Sequence, residues 1–359
     1  SLVLTSFVIT LLGCNYLWGR LSDRLGRRKP FVVTGLLGLA LVYAWLGYAP
    51  TLAAAWATRL LEGVALAAYT TLSLAMMGEA LERSASQRQG RQMGLYRGLG
   101  SLAFAAGSVA GGRVAETYGL ADSFLICAAA YLLAALVALQ LQEQPAAPLV
   151  QQPVLSSTAR TRARLLPAAF LAGVFLWTAA HSASASMWPN YMAQLGYSTG
   201  QLTSLWGLAA LVEMPAMFAL GALSDIAGRT AVLITGGLGI ALVNAGYAAA
   251  AHLLPLLVGI QVVRGVGFAA YTGSAMTFTT EHGGEERGGA SGLYHTTGSA
   301  GQLAGLLMGG TLAQTVGFPA MFTACALLAL AAAASFWALH HRTPRLIPVA
   351  TTAQAERKP

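Results

Sequence analysis

The chain has 359 residues, of which 56% are hydrophobic and only 9% charged, with 41 glycines and a mean hydropathy of +0.60. A soluble domain carries about 25% charged residues, so the composition excludes a water-soluble globule and puts the chain in a lipid bilayer. The formal net charge of +8 would suit nucleic acid, but the basic residues sit in short turns between apolar runs, the topology bias of membrane proteins, and no nucleic-acid partner is expected.

A spanning helix needs roughly 20 apolar residues. Residue 1 is Ser, residues 2–18 already read as mid-helix and no signal peptide precedes them, so the start reads as a truncation. The turn at 19–30 packs one Asp among five basic residues. Apolar runs then follow at 31–50, 52–78, 92–115 and 123–142. The stretch 143–164 holds Pro145, Pro148 and Pro153 and then three arginines, and reads as a connector. The uncharged stretch 165–212 is too long for one helix and breaks at Gln194–Gly200. Further breaks fall near His252–Pro255 and Thr315–Pro319, which gives eleven helices. The expected division is a first bundle at 1–142, a linker at 143–164, a second bundle at 165–341 and a tail at 342–359.

Turns around 20–29, 83–91, 160–164, 229 and 287, with the tail, hold 17 of the 21 Lys and Arg, and the intervening turns hold none. The charged turns, central loop and tail should therefore be cytoplasmic. The four remaining arginines, Arg59, Arg97, Arg113 and Arg264, fall inside helices. Cys14, Cys127 and Cys325 lie in apolar segments without metal-ligand spacing and read as small core residues, with no disulfide. No metal site, cofactor or nucleophile–base arrangement stands out, so an enzyme is not expected.

The two halves repeat. Asp23 and Asp225 are 202 residues apart, and Ala67-Ala68-Tyr69-Thr70 recurs as Ala269-Ala270-Tyr271-Thr272 at the same offset, as does Glu79 at Glu281. Gly94-Leu95-Tyr96 recurs as Gly292-Leu293-Tyr294, and Gly111-Gly112 as Gly309-Gly310, at an offset of 198.

The turn Gly19-x-x-x-Asp23-Arg24-x-Gly26-Arg27-Arg28 closely resembles the loop signature of the major facilitator superfamily of secondary transporters, with all six defining positions filled. The second copy, Gly221-x-x-x-Asp225-Ile226-x-Gly228-Arg229, lacks two basic positions. The resemblance spans the whole chain and implies an all-α membrane protein of two pseudo-symmetric six-helix bundles joined by a cytoplasmic loop. The first-half counterpart of the helix near 166–193 would precede residue 1, so family helix 1 is expected to be missing and helices 2 to 12 present. In the family the loop Asp contacts the N-terminus of helix 11, here near Gly288–Gly292, and latches the cytoplasmic side. Asp23 fits such a role, because negative charge is locally unfavourable at its own helix C-terminus. The second copy should latch more weakly.

Arg59 and Glu62 are three apart on one helical face and can pair. Arg59-x-x-x-Gly63 resembles the family's fourth-helix signature, in which the Arg is linked to proton transfer; Glu62 and Ala65 stand where Gln and Gly are common. In the repeat Gln261 takes the place of Arg59, and Arg264 that of Glu62. Glu213 lies about three turns from Asp225, near the midplane by helix rise. It should be paired, protonated or facing a wet cavity. Trp177, His181, Ser184 and Trp188, spaced 4, 3 and 4, share one face of family helix 7. Since helices 1, 4, 7 and 10 line the family's central cavity, that face resembles a substrate wall, to which Tyr69 and Tyr271 would add. Two small-residue runs, one through Gly107 and Gly111 and one through Gly301, Gly305 and Gly309, permit close helix contact. The first resembles the fifth-helix signature of drug antiporters, with Ser108 in place of Pro.

The resulting expectation is a monomeric, multi-pass protein of a bacterial inner membrane, exporting small amphiphilic or sugar-like molecules by proton-coupled alternating access. Its partners are a small-molecule substrate, protons and lipid. The alternatives are proton symport of a sugar, nucleoside or aromatic acid, and a non-transporting sensor on the same fold. With Glu213 and Arg264 offsetting one another, a neutral or singly charged molecule with a ring is expected, and not a polyanion.

Overall fold

A computed structural model describes residues 2–48, 51–84, 88–142 and 166–342. Among these residues the chain forms eleven α-helices and no strand. They are α1 (Leu2–Leu25), α2 (Lys29–Leu46), α3 (Leu52–Arg83), α4 (Gln89–Tyr118), α5 (Leu120–Leu139), α6 (Ala168–Gln194), α7 (Thr199–Ala227), α8 (Arg229–Ala250), α9 (Leu254–His282), α10 (Arg287–Thr315) and α11 (Phe318–Arg342). The connector at 143–164 lies outside the described residues, as does the tail apart from Arg342.

The breaks read from the sequence are where the helices end, for local reasons. Ser198 and Gln201 close a reciprocal capping box at the start of α7, and the Thr51 hydroxyl accepts from Ala54 N at the start of α3. Pro30 and Pro255 sit in the first turns of α2 and α9, where a missing N–H costs nothing. The two loop-motif turns are closed by Gly26 (φ 63°) and Gly228 (φ 91°), in a region that residues with a Cβ avoid.

Among the described residues, eight helices are long and apolar enough to cross a membrane. α4 and α10 are richer in glycine and polar residues, and both pack against the other half. Within the first half α2 packs on α3 and α5, and α1 on α3; within the second, α6 packs on α10 and α11, and α8 on α9 and α11. The halves join through α1 against α10 and α4 against α7. Polar side chains are tolerable at such a seam and costly against lipid tails. α5 is the opposite case, its apolar side chains mostly exposed, as befits a lipid-facing helix.

The seam is close at one end and open at the other. A Cβ at Gly94 would meet the Met217 carbonyl of α7, and one at Gly90 that of Gly221. Across α1 and α10, Gly19 and Gly288 are pressed together in the same way. Further along α4, a Cβ at Gly107 or Gly111 would meet nothing within 4 Å, nor would one at Gly207 of α7 or Gly13 of α1. The first small-residue run, expected to hold helices together, therefore faces open space. The second does make close contact: Gly301, Gly305 and Gly309 bring α10 onto the backbone of α6 at Phe175, Ala179 and Ala183. The difference is that the second run lies inside one bundle and the first on the open part of the seam.

Candidate functional site

The closed end carries two matching polar clusters. Asp23 accepts hydrogen bonds from Gly288 N (3.0 Å) and Gly289 N (2.6 Å) in the first turn of α10. Asp225 accepts them from Gly90 N (2.8 Å) and Arg91 N (3.0 Å) in the first turn of α4. These donors have no partner within their own helices, and the helix dipole favours an anion there. Each Asp is then tied to an arginine and a second carboxylate. Arg28 reaches Asp23 at 3.2 Å and Glu79 at 3.0 Å, and Arg229 reaches Asp225 at 2.6 Å and Glu281 at 2.7 Å. The second cluster, expected to be the poorer one, makes the same set of contacts. One arginine suffices in each, Arg28 buried and Arg229 partly so; Arg24 and Arg27 are exposed. Glu79 and Glu281 were visible in the sequence only as a repeated pair, and the structure gives both a partner. Arg287 of α10 adds a cross-seam pair to Glu82 at 2.7 Å.

Asp23→Asn and Asp225→Asn are expected to weaken this end by similar amounts, about 1.5–3 kcal/mol each, the value of a charge-assisted bond. Alkylation of a cysteine placed at the closed end checks this. A much larger effect for Asp23 would show the two clusters to be unequal.

The open end holds a cavity of about 1190 Å³ bounded by α4, α6, α7 and α9. Arg97, Ser101 and Arg113 come from α4, His181 from α6, Trp206, Glu213 and Met214 from α7, and Arg264 and Phe268 from α9. Arg97 lies one turn beyond the close crossing at Gly94, and Arg113 lies near the far end of α4, so the cavity runs about 24 Å along the helix. Glu213, half-buried, is the one carboxylate among the lining residues, with Arg264, Arg97 and the Ser101 hydroxyl as its electrostatic neighbours. Arg264 lies over the Trp206 ring, 4.2 Å from its centroid, a cation–π geometry that steadies a poorly hydrated guanidinium. Pro215, one turn from the Leu211 carbonyl, cannot donate to it, which leaves a backbone acceptor on the cavity helix.

The residues expected to form the substrate wall divide. His181 lines the cavity, with Phe268 5.2 Å away ring to ring. Trp177, Ser184, Trp188 and Tyr271 do not line it; all are buried inside the second bundle. Trp177 is stacked between His181 and Tyr271, with centroids 4.9 and 3.7 Å away, and donates its Nε1–H to the Gly236 carbonyl at 3.2 Å. Trp188 packs on Trp206 and Tyr247. The four lie within about 60° of one another around α6, yet only His181 lines the cavity, and the other three pack in the core. Trp177 thus backs His181 in place. Trp177→Ala is expected to destabilise the protein by about 3–5 kcal/mol, and Trp177→Phe, which keeps the stack and loses one hydrogen bond, by about 1 kcal/mol. Thermal unfolding in detergent measures both, and equal losses would refute the stacking role.

Tyr69 is half-buried on α3, beside Tyr96 and Arg97, and is not part of the cavity wall. Arg59 and Glu62 do pair, at 2.7 Å, but Glu62 also accepts from the Tyr43 hydroxyl at 2.9 Å and is only 4% exposed. The pair therefore faces α2, inside the first bundle and away from the cavity. Its repeat equivalent Arg264 faces the cavity instead. Sequence reasoning gave no role to Arg97, Arg113, Trp206 and Phe268. Arg97 had a signal, since a charge inside a helix stands at the position that His295 fills in the repeat; the two rings had none.

The sequence model of the Major Facilitator Superfamily matches residues 1–285 and 215–359, which together span the chain. The chain is 29% identical over 339 residues to a putative sugar efflux transporter of Deinococcus radiodurans, covering 91% of this chain and 85% of that one. It is 26% identical over 335 residues to the multidrug resistance protein MdtG of Escherichia coli, covering 89% and 79%. The solved structure of the human organic anion transporter MFSD10 (TETRAN) superposes with a TM-score of 0.76 at 20% identity, over 93% of this chain and 83% of that one. The halves that repeat in sequence, the paired clusters at one end of their seam and the cavity at the other are thus accompanied by a match along the whole length, and the chain belongs to the major facilitator superfamily.

Proposed function

We propose that the protein is a secondary transporter that moves small molecules across a bacterial inner membrane by alternating access, exporting them with proton coupling. The carrying observation is the cavity of about 1190 Å³ that begins one turn beyond the close crossing of α4 and α7 and extends along α4 away from the two Asp clusters. The charged-turn bias assigns the clustered end to the cytoplasm, so this conformer has its cytoplasmic side shut and its cavity facing out. The clusters then act as latches, with Gly19, Asp23, Gly26 and Arg28 forming one and Asp225 and Arg229 the other. Glu213 and Arg264 are the proton-responsive pair, and Arg59–Glu62 stiffens the first bundle. Export is supported by the printed functions of the two bacterial relatives, sugar efflux and multidrug resistance. Counterflow in proteoliposomes with graded candidate substrates tests the reading. Saturable exchange that collapses when the closed end is cross-linked supports it, and ligand binding without any exchange would make the protein a sensor.

A further inference from the structure

We infer that the cavity is built for an organic anion carrying a flat ring, a carboxylate in the simplest case, and not for a cation or an uncharged sugar. The inference rests on the transport reading above but not on its direction. Three arginines line the cavity, Arg97, Arg113 and Arg264, against the single carboxylate Glu213. Arg113 is exposed near the mouth, where water screens it. The inner two share one counter-charge, and neither forms an ion pair among the described residues. The Nε of Arg97 is buried with no hydrogen-bond partner among them. A buried guanidinium N–H with no acceptor is expensive, and a structure keeps one where a ligand supplies the missing acceptor. The planar guanidinium matches a carboxylate with two parallel bonds, and a sugar hydroxyl offers no such fit. A cation would meet two arginines balanced by only one carboxylate, a site of net positive charge.

Ring preference has a separate basis. Trp206 and Phe268 line the same space, and Arg264 already covers part of Trp206 at 4.2 Å. A ligand ring seated beside them places its carboxylate toward Arg97, one turn above the crossing where the halves meet. The repeat equivalent of Arg97 is His295 of α10, which lies within electrostatic reach of it. An anion at Arg97 therefore sits beside the axis that relates the two halves, the place from which both can sense it.

The test uses three probes with the same ring and different charge: benzoate, benzamide and benzylamine. Binding to the purified full chain in detergent is read by calorimetry or by a shift in Tm. Benzoate is expected to bind at least about tenfold tighter than either of the others. Arg97→Gln should remove that preference, while Arg20→Gln, the same charge change on an exposed residue far from the cavity, should not. Glu213→Gln, which deletes the competing negative charge, should tighten benzoate. Equal or tighter binding of benzamide or benzylamine, or benzoate binding that survives Arg97→Gln unchanged, overturns the proposal. Counterflow separates the two readings. Exchange of benzylamine without benzoate leaves transport standing and removes the anion, whereas benzoate binding without exchange of any probe does the reverse.

Discussion

Gly94→Leu is expected to stop transport while leaving a protein that inserts and purifies normally. A Cβ at Gly94 would overlap the Met217 carbonyl and lie 2.9 Å from its carbon, and both are backbone atoms that no rotamer change can move. The only relief is to separate α4 from α7, which opens the closed end. Overpacking of this kind costs about 1–3 kcal/mol for a methylene or two in a core that can adjust, and a whole side chain against helix backbone exceeds that. Since a population shift of about 1.4 kcal/mol is tenfold, the closed conformer becomes a minor one. In a background lacking Cys14, Cys127 and Cys325, a Thr280→Cys reporter, at a site buried at the closed end in the parent, should become reactive. Gly94→Ala should show the same effects in smaller measure. Wild-type exchange together with a protected reporter in Gly94→Leu would mean that the crossing is not needed for turnover.

Glu213→Gln is expected to abolish transport driven by a pH gradient while sparing substrate exchange. Glu213 is the one carboxylate among the cavity-lining residues, flanked by Arg264, Arg97 and Ser101, and it sits about 18 Å along α7 from Asp225. Its charge state sets how much of the arginine field is offset, so a proton arriving there changes both substrate affinity and the cost of closing the cavity. Glutamine mimics the protonated form at every pH. Exchange, which needs no net proton movement, should persist within about threefold, and pH-driven uptake into proteoliposomes should fall by at least about tenfold. A variant with the parent's response to an imposed gradient would move coupling elsewhere, and the Arg59–Glu62–Tyr43 cluster is the next place to look.

The fold was legible because its signals are local or repeated. Eleven apolar runs, the breaks at Gln194–Gly200 and His252–Pro255, and the doubled Asp–Gly turn each follow from helix length and turn chemistry. The close partners of Asp23 and Asp225 are backbone amides, which have no side-chain signature, and only the family resemblance pointed to one of them. The cavity was harder. Its wall is assembled from four helices, and a face of Trp177, His181, Ser184 and Trp188 looks the same in sequence whether it borders water or the bundle core. Composition cannot separate those cases, because buried Trp and Ser with partners cost little in either place. Arg97 is the legible exception: a charge within a span is a site by default, and the repeat marks its counterpart as His295.

The open glycines carry a consequence for how substitutions in this protein are to be scored. A Cβ added at Gly107, Gly111, Gly207 or Gly13 would meet nothing within 4 Å in this conformer, so a screen of its thermal stability would rank small substitutions there as neutral. If the halves pivot about the crossing at Gly94, these are the positions that converge when the other end shuts, and the clearance around them now is the travel the machine consumes later. Tolerance in this chain is therefore a property of a cycle. A residue with room for a side chain in one half-cycle is constrained by the other, and turnover, not melting, is the assay that reads it.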